Sequence, residues 1–596
     1  MKLPVLIIFV SLTTFHFGQK PFYYIENGSV KQIDTVSLNG VEDYGRNDFV
    51  LNLGNHGSPE FKLTPKLADL INNDYSLLTF QPKHTFRRYK LYKPIVDAKY
   101  TVGTAQEQHF SLLHSQNVSE RVNYAIGLRK INSNGIYQNQ ETNFTDVFFN
   151  SYGTDLLNKK YSYNLEFNYL NRASSLNGGL ANDSAFTNDT IDLQNRELLE
   201  INLPFAYQEL KKWYGKINQE VNLFSQLDSN ENGSLISLSN YFEYEHNSRL
   251  YYDSLLNSIF YDRILDDSTI TNETMSFQQL SGYLGMKYKN KKENGQLTLL
   301  KIGSEVAQNW YKQDGVDTTQ LDVLLDISGA FQTSDYSLNG QAAYLLNDAY
   351  ENNDYEVDFN GSYTGLSKLG FNARIYLSNQ RPQLDLLQYS SNHVTWKNTF
   401  EKYQLTHFML GADYEGKWDA SVSVNYFDVK NPIYFGYDKT PYQAPGLAQL
   451  IRTTLSARNK NNKRWDLGGE VHYQYQGGYN VFRLPNFLAK VNAAINFKVF
   501  NKKMAAAIGT EVVYFSSYES KRFDPVTGQF YIFSNEKLGN YPYANVFIKS
   551  RVQRATFFLM MSHPHQGLLG YDYFYVPGYP ANDRFFRVGV SWLFVN

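Results

Sequence analysis

The chain has 596 residues and a formal net charge of -2, with 56 Lys and Arg against 58 Asp and Glu. That balance offers no strong attraction for nucleic acid or for an acidic membrane surface. The absence of cysteine excludes disulfides, thiol catalysis, iron–sulfur clusters and lipoprotein acylation. Aromatic residues reach 16%, with 48 Tyr and 41 Phe, yet the mean hydropathy is -0.46. A surface that faces lipid on one side and water on the other combines these properties, with Tyr and Trp at the interfaces. On composition alone, a large secreted β-sandwich or propeller would also do so.

Met1 and Lys2 give a short positive start, and Leu3 to Phe17 form an apolar run that ends at Gly18 and Gln19. This pattern predicts a cleaved secretory signal peptide over residues 1–19. An uncleaved anchor is the other reading, but the run falls short of the ~20 apolar residues a spanning helix needs. No later stretch is as long and apolar, so any membrane crossing is by strands.

Residues 20–100 alternate weakly and hold one short helical signal, with Thr64 as cap, Pro65 in the first turn, then Leu67, Leu70 and Ile71. They read as a periplasmic or lumen-inserted extension; an extra strand pair with loops is the competing reading. The run Gly40 to Gly45 (GVEDYG) has no strand-turn-helix context and reads as loop.

Residues 101–596 carry repeated period-two patterns, the mark of a strand with two different faces. Tyr161, Tyr163, Leu165, Phe167 and Tyr169 alternate with Ser162, Asn164, Glu166 and Asn168, and Trp465, Leu467, Val471, Tyr473 and Tyr475 with Asp466, Glu470, His472 and Gln474. From residue 321 onward, short links (near 332–335, 366–368, 414–417, 459–464, 501–503 and 550–554) take turns with long ones (near 347–354, 378–401, 429–448, 477–485, 517–541 and 564–583). Tight turns at one end and long loops at the other are the habit of an outer-membrane barrel. The expected fold is therefore all-β, a transmembrane antiparallel up-and-down β-barrel of about 22 strands, give or take about four, behind a short N-terminal extension. The alternation of loop lengths breaks down between residues 172 and 215, where one strand could be miscounted. The last strand puts Phe586, Val588, Val590, Trp592 and Phe594 on its lipid face, and Asn596 follows Val595. An aromatic near the end of a final strand is the kind of signal read by the outer-membrane barrel assembly machinery.

Four segments, LGNHGSP (Leu53 to Pro59), EQHFSLLHSQN (Glu107 to Asn117) with GIYQNQ soon after, LNGGLANDSAF (Leu176 to Phe186) and VPGYPANDRFFRVGVSW (Val576 to Trp592), resemble the putative porin family of Bacteroidota in content and order. The resemblance implies an outer-membrane barrel, a pore, and no catalytic residue to carry over.

His563 and His565 flank Pro564 and could share a strand face as two metal ligands would, but no third ligand is fixed, and loop packing is the expectation. His109 and His114 lie at opposite parities and read as hydrogen-bonded structural residues. No Walker loop, dinucleotide fingerprint or HExxH helix is present; no enzyme activity, metal or cofactor is expected. If aromatic parity marks the lipid side, Asp322, Asp326, Glu356, Asp358, Arg374, Asp419, Glu470, Lys490, Lys498, Glu511 and Arg587 face the lumen. Their signs are mixed, so pairing across a wet interior is expected in preference to a selective ring. The leading functional expectation is passive diffusion of small hydrophilic solutes. The alternatives are a plugged or gated transporter barrel and a non-transport scaffold for secretion or surface complexes. Expected partners are outer-membrane lipids and lipopolysaccharide and the barrel assembly machinery, with homo-oligomerisation open and nucleic acid excluded.

Overall fold

The computed structural model describes residues 22–26, 29–33, 49–71, 84–187, 193–228, 232–347, 354–459, 464–533 and 535–595. The signal-peptide reading and the GVEDYG loop lie outside them. Twenty-two antiparallel strands close into one barrel, each hydrogen-bonded to its neighbour in sequence, with the last strand (Phe585–Val595) pairing the first (Ile95–Gly103). The parity of each strand explains the closure. Along Phe585–Val595, Phe586, Val588, Trp592 and Phe594 are exposed, whereas Phe585, Arg587, Ser591 and Leu593 are buried. A slip of one residue would turn Phe586, Val588, Trp592 and Phe594 inward and Arg587 and Ser591 toward lipid.

The barrel wall begins at Ile95, inside the stretch assigned to the extension, and not at 101. Ile95–Gly103 is only 9 residues long, so its alternation of Val96, Ala98, Tyr100 and Val102 with Asp97, Lys99 and Thr101 is brief and the signal is faint. The irregular region between 172 and 215 is a single long loop between Tyr161–Ser175 and Tyr207–Leu227. It contains a short helix, Asp183–Thr187, and a 3-10 turn, Leu193–Leu198, which mask the strand rhythm without removing a strand.

Both the first and last strands terminate at the short-turn end, which marks the periplasmic side, as in outer-membrane barrels generally. Three strands, Tyr207–Leu227, Gly233–Asp253 and Thr271–Lys291, have 21 residues each. A tilted strand crosses the bilayer in ~9–11 residues, so this side of the barrel projects well beyond the membrane. At the long-loop end the reversal at Asp314-Gly315 is only two residues long; Gly315 takes φ 75°, the left-handed conformation such a hairpin needs.

Ahead of the barrel, Phe22–Glu26 pairs with Ser29–Ile33 and with Arg88–Lys90. Val50–Asn52 pairs with Glu60–Lys62, and a helix follows at Leu67–Ile71.

Candidate functional site in the barrel lumen

The hairpin and helix of residues 49–71 form a strap across the mouth of the barrel. One end of the strap is bonded to strands Val122–Ser133 and Thr142–Asp155 and the loop between them. Asn55 Nδ2 donates to the carbonyls of Gln140 (2.6 Å) and Ser133 (3.3 Å), Gln140 Nε2 to that of Leu53 (3.1 Å), and Thr142 Oγ1 to that of His56 (2.7 Å). The other end is bonded to strands Leu447–Asn459 and Trp465–Gly478: Arg452 Nη1 donates to the Pro65 carbonyl at 2.7 Å and Gln474 Nε2 to that of Leu63 at 3.0 Å. These two pairs of strands stand on nearly opposite sides of the ring. Gln140, Thr142, Arg452 and Gln474 each satisfy a strap carbonyl, and Asn55 of the strap satisfies two carbonyls of the wall; a buried polar group left unpaired costs ~1–3 kcal/mol.

Apolar packing fills the space between the anchors. Phe61 touches three separate buried clusters, one around Tyr137, Phe515 and Tyr541, a second around Leu203, Tyr251 and Phe523, and a third around Leu405, Phe427 and Leu450. Its ring lies 5.3 Å from that of Phe530. Loops from the long-loop end fold in to complete the closure. Arg249 reaches from the wall to the carbonyls of Pro525 and Val526, both at 2.7 Å. The Arg196 guanidinium stacks 3.7 Å from the Phe186 ring centroid and 4.2 Å from that of Tyr571, donating to Tyr573 Oη at 2.8 Å and to Asp583. Burial raises the Asp583 carboxyl above its ordinary range, and the Tyr573 hydrogen bond and Arg196 oppose the shift. Residues 84–94 then descend the wall to Ile95, accepting hydrogen bonds from Asn150 (to Arg87), Tyr152 (to Tyr89) and Asn117 (to Leu91).

A buried polar cluster joins the strap to the barrel seam. Arg587 Nε and Nη2 bond the Glu107 carboxylate at 2.8–3.0 Å, and His109 Nε2 lies 2.6 Å from Glu107 Oε1. The His56 ring of the strap packs on that of His109 at 4.8 Å. Burial alone would raise the Glu107 carboxyl, but Arg587 and the His109 hydrogen bond hold it well below the carboxylate range. Burial, then His109 and Arg587, push His56 well down, so it is neutral at pH 7.

A family model described as a putative porin matches residues 23–596. The chain belongs to the putative porin family. No curated protein matches it. Among solved structures, the porin-family chain is similar to the ferric-catecholate import receptor Fiu of E. coli K12 (12% identity, TM-score 0.57, 84% of this chain and 82% of that one). It is also similar to the siderophore receptor PiuA of Acinetobacter baumannii (10%, 0.55, 85% and 82%) and the FrpB iron transporter of Neisseria meningitidis (10%, 0.57, 85% and 82%). At these identities the likeness is one of fold: an outer-membrane β-barrel. The family is described as porins, and these neighbours as import receptors or transporters.

Most charges singled out in this porin-family sequence meet partners on neighbouring strands. Asp358 takes both arms of Arg374 at 2.8 and 2.6 Å. Lys490 lies 3.1 Å from Glu511, which also accepts from Asn545. Asp322 pairs with Arg381 at 2.7 Å, Glu470 lies 2.7 Å from His472, and Arg587 holds Glu107. Asp326 sits beside Tyr283 and Lys301, and Glu356 bonds Tyr376. Asp419, with Glu470 and Lys490, lines a cavity of about 700 Å³ near the short-turn end. Lys498 is exposed near the same end. The structure therefore gathers these residues into pairs, not a ring of one sign.

His563 bonds Tyr541 Oη (2.6 Å) and the Asn582 carbonyl, and His565 the Pro542 carbonyl (2.7 Å), so both pack loops. His114 bonds Tyr124 Oη. Among the described residues no group of three His, Cys, Asp or Glu side chains is placed to hold a metal. Reading the sequence by parity missed Glu107, His56, Phe61, Arg452 and Gln474. The first two do lie in the quoted family segments, EQHF and LGNHGSP; Gln474 falls on the polar face of its alternating strand, but nothing in the sequence marks its contact with the strap.

Proposed function

We propose that this outer-membrane barrel is a gated transporter of small hydrophilic solutes, with the strap of residues 49–71 as its gate, in preference to a permanently open diffusion channel. The observation that carries the reading is the strap's bonding to opposite walls with Phe61 at the junction of three apolar clusters. On this reading the paired charges line a wet passage beneath the strap, and the cavity beside Asp419, Glu470 and Lys490 is its periplasmic vestibule. A signal peptide over residues 1–19 delivers the chain through the inner membrane, and the assembly machinery inserts it. The fold neighbours are described as import receptors and transporters; that supports passage through the barrel, but not any particular solute. The test is efflux of a small sugar from liposomes holding the wild-type protein or a variant lacking residues 49–71. Gating predicts slow efflux from the first and rapid efflux from the second. Equal, rapid efflux from both would return the reading to a simple porin.

A further inference from the structure

We propose that the wall formed by strands Tyr207–Leu227, Gly233–Asp253, Thr271–Lys291 and Leu297–Gln313 is an interface on which a second copy of this chain packs in the membrane. The first observation is a bare amide in hydrocarbon. The lipid-facing residues of the apolar band on Gly233–Asp253 are Ile236, Leu238, Asn240, Phe242 and Tyr244, so Asn240 stands at its centre. In strand register it faces Gln219, which lies between the outward residues Ile217 and Val221. Among the described residues Asn240 makes no side-chain hydrogen bond, and its Oδ1 has no partner. The side chain is only partly buried, so a turn of the amide brings both of its ends to the surface. Gln219 has one bond, its Oε1 accepting from Tyr161 Oη at 3.2 Å. Two other lipid-facing amides in apolar runs are satisfied within the wall: Gln308 donates to the Gln320 carbonyl at 3.2 Å and Gln449 to Tyr426 Oη at 2.9 Å. A polar group without a partner is costly in a layer that holds no water.

Self-complementarity points to a like copy as the occupant. An amide carries both a donor and an acceptor, so two copies of Asn240 about a two-fold axis satisfy each other; an acyl chain offers neither bond. The shape of the wall agrees. Phe242 stands out from it at 60% exposure. One lipid-facing step along the neighbouring strand, Gly215 leaves a hollow: no atom lies within 4 Å of where its Cβ would stand, and its backbone is not left-handed. Nothing inside the chain requires glycine there, whereas small residues in a membrane interface let a partner approach closely. Past Trp213 and Trp310 the same strands continue out of the bilayer and carry a hollow of about 340 Å³ on their outer face. Its outward charges are Glu209, Lys211, Lys312 and Asp314, two of each sign, because Arg249 turns inward to the Pro525 and Val526 carbonyls. A patch balanced in this way accepts its own copy without an excess of like charge. Four strands ~4.8 Å apart over about 15 residues present roughly 900 Å² per copy, the scale of a stable interface.

The test is native mass spectrometry of the full-length mature protein in mild detergent, joined to cysteine cross-linking in outer-membrane vesicles; the chain has no cysteine of its own. The wild type is expected as a dimer, and Phe242→Cys, oxidised with copper phenanthroline, as a disulfide-linked pair. Cross-linking in vesicles decides the matter if detergent separates the copies. Val491→Cys, also lipid-facing but on the far side of the ring, should give no such pair. Asn240→Leu should weaken dimerisation about tenfold, the effect of losing a hydrogen bond between membrane-buried side chains. Gly215→Phe fills the hollow and should abolish the dimer; lying on a different strand, it repeats the test should the first variant fold poorly. A wild type that is monomeric in detergent and not cross-linked through Phe242→Cys in vesicles would overturn the proposal. So would a dimer that both variants leave intact, equal cross-linking from Val491→Cys, or a Phe242→Cys adduct to a different protein.

Discussion

Truncating Phe61 should loosen the strap without disturbing the barrel. Phe61 is half-buried and packs against three clusters at once, and its ring meets Phe530 at 5.3 Å. Deleting a core phenylalanine costs ~3–5 kcal/mol when the site cannot collapse. Partial exposure puts Phe61→Ala near the lower figure, at about 3 kcal/mol. That cost falls on the closed strap alone, because the strand ladders of the barrel do not include residue 61. A shift of this size raises the open population about a hundredfold. The chain has no cysteine, so Thr64→Cys introduces a unique thiol on the strap. Maleimide labelling in the folded barrel then reports strap opening, since modification of a transiently opened site follows its open population when closing is fast. The double variant should label about a hundred times faster than Thr64→Cys alone. Equal rates in the two proteins would refute the assignment of Phe61 as the strap's central contact.

Three further outcomes follow from the same geometry. Glu107→Gln leaves the Arg587 guanidinium buried without its carboxylate, a change of ~3–5 kcal/mol; the urea midpoint of barrel unfolding should fall, whereas Lys498→Gln should not move it. Acid should open the strap. His56 is held neutral when the strap is closed, with its affinity for a proton below that of the released side chain, so closure is fully stable above about pH 6.5 and weakens as pH falls below it. Glu60, whose carboxyl burial raises, acts in the opposite sense. The measured quantity is therefore the difference in Thr64→Cys labelling between the wild type and His56→Gln at pH 7.5 and pH 5, which should vanish at the higher value. Arg196→Lys removes the planar stacking between Phe186 and Tyr571, about 1–2 kcal/mol at a desolvated site, and should speed proteolysis within residues 176–206 while leaving the barrel intact.

The barrel was legible because a strand wall has a strict two-residue period and must end in turns of two kinds. Tyr161 to Tyr169 and Trp465 to Tyr475 declare their faces in sequence, and the alternation of short and long links declares the topology. The first strand was less visible because it is short: Val96, Ala98, Tyr100 and Val102 alternate with Asp97, Lys99 and Thr101, a pattern too brief to stand out beside the longer strands. The strap was legible only as a short helix behind Thr64 and Pro65. Its role depends on contacts hundreds of residues apart, such as Arg452 to Pro65 and Gln474 to Leu63, and no local pattern encodes these. Charge parity found both members of the Asp358–Arg374 and Lys490–Glu511 pairs, but only Arg587 of its pair with Glu107, which sits in a tight connection where alternation has already ended.

Single-channel conductance of the refolded mature protein in a planar bilayer tests the central claim most directly. The account predicts a folded barrel that stays closed at neutral pH, and a variant lacking residues 49–71 that conducts steadily in proportion to salt. Steady, salt-proportional conductance by the unaltered protein, matched by the strap-deleted variant, would contradict it.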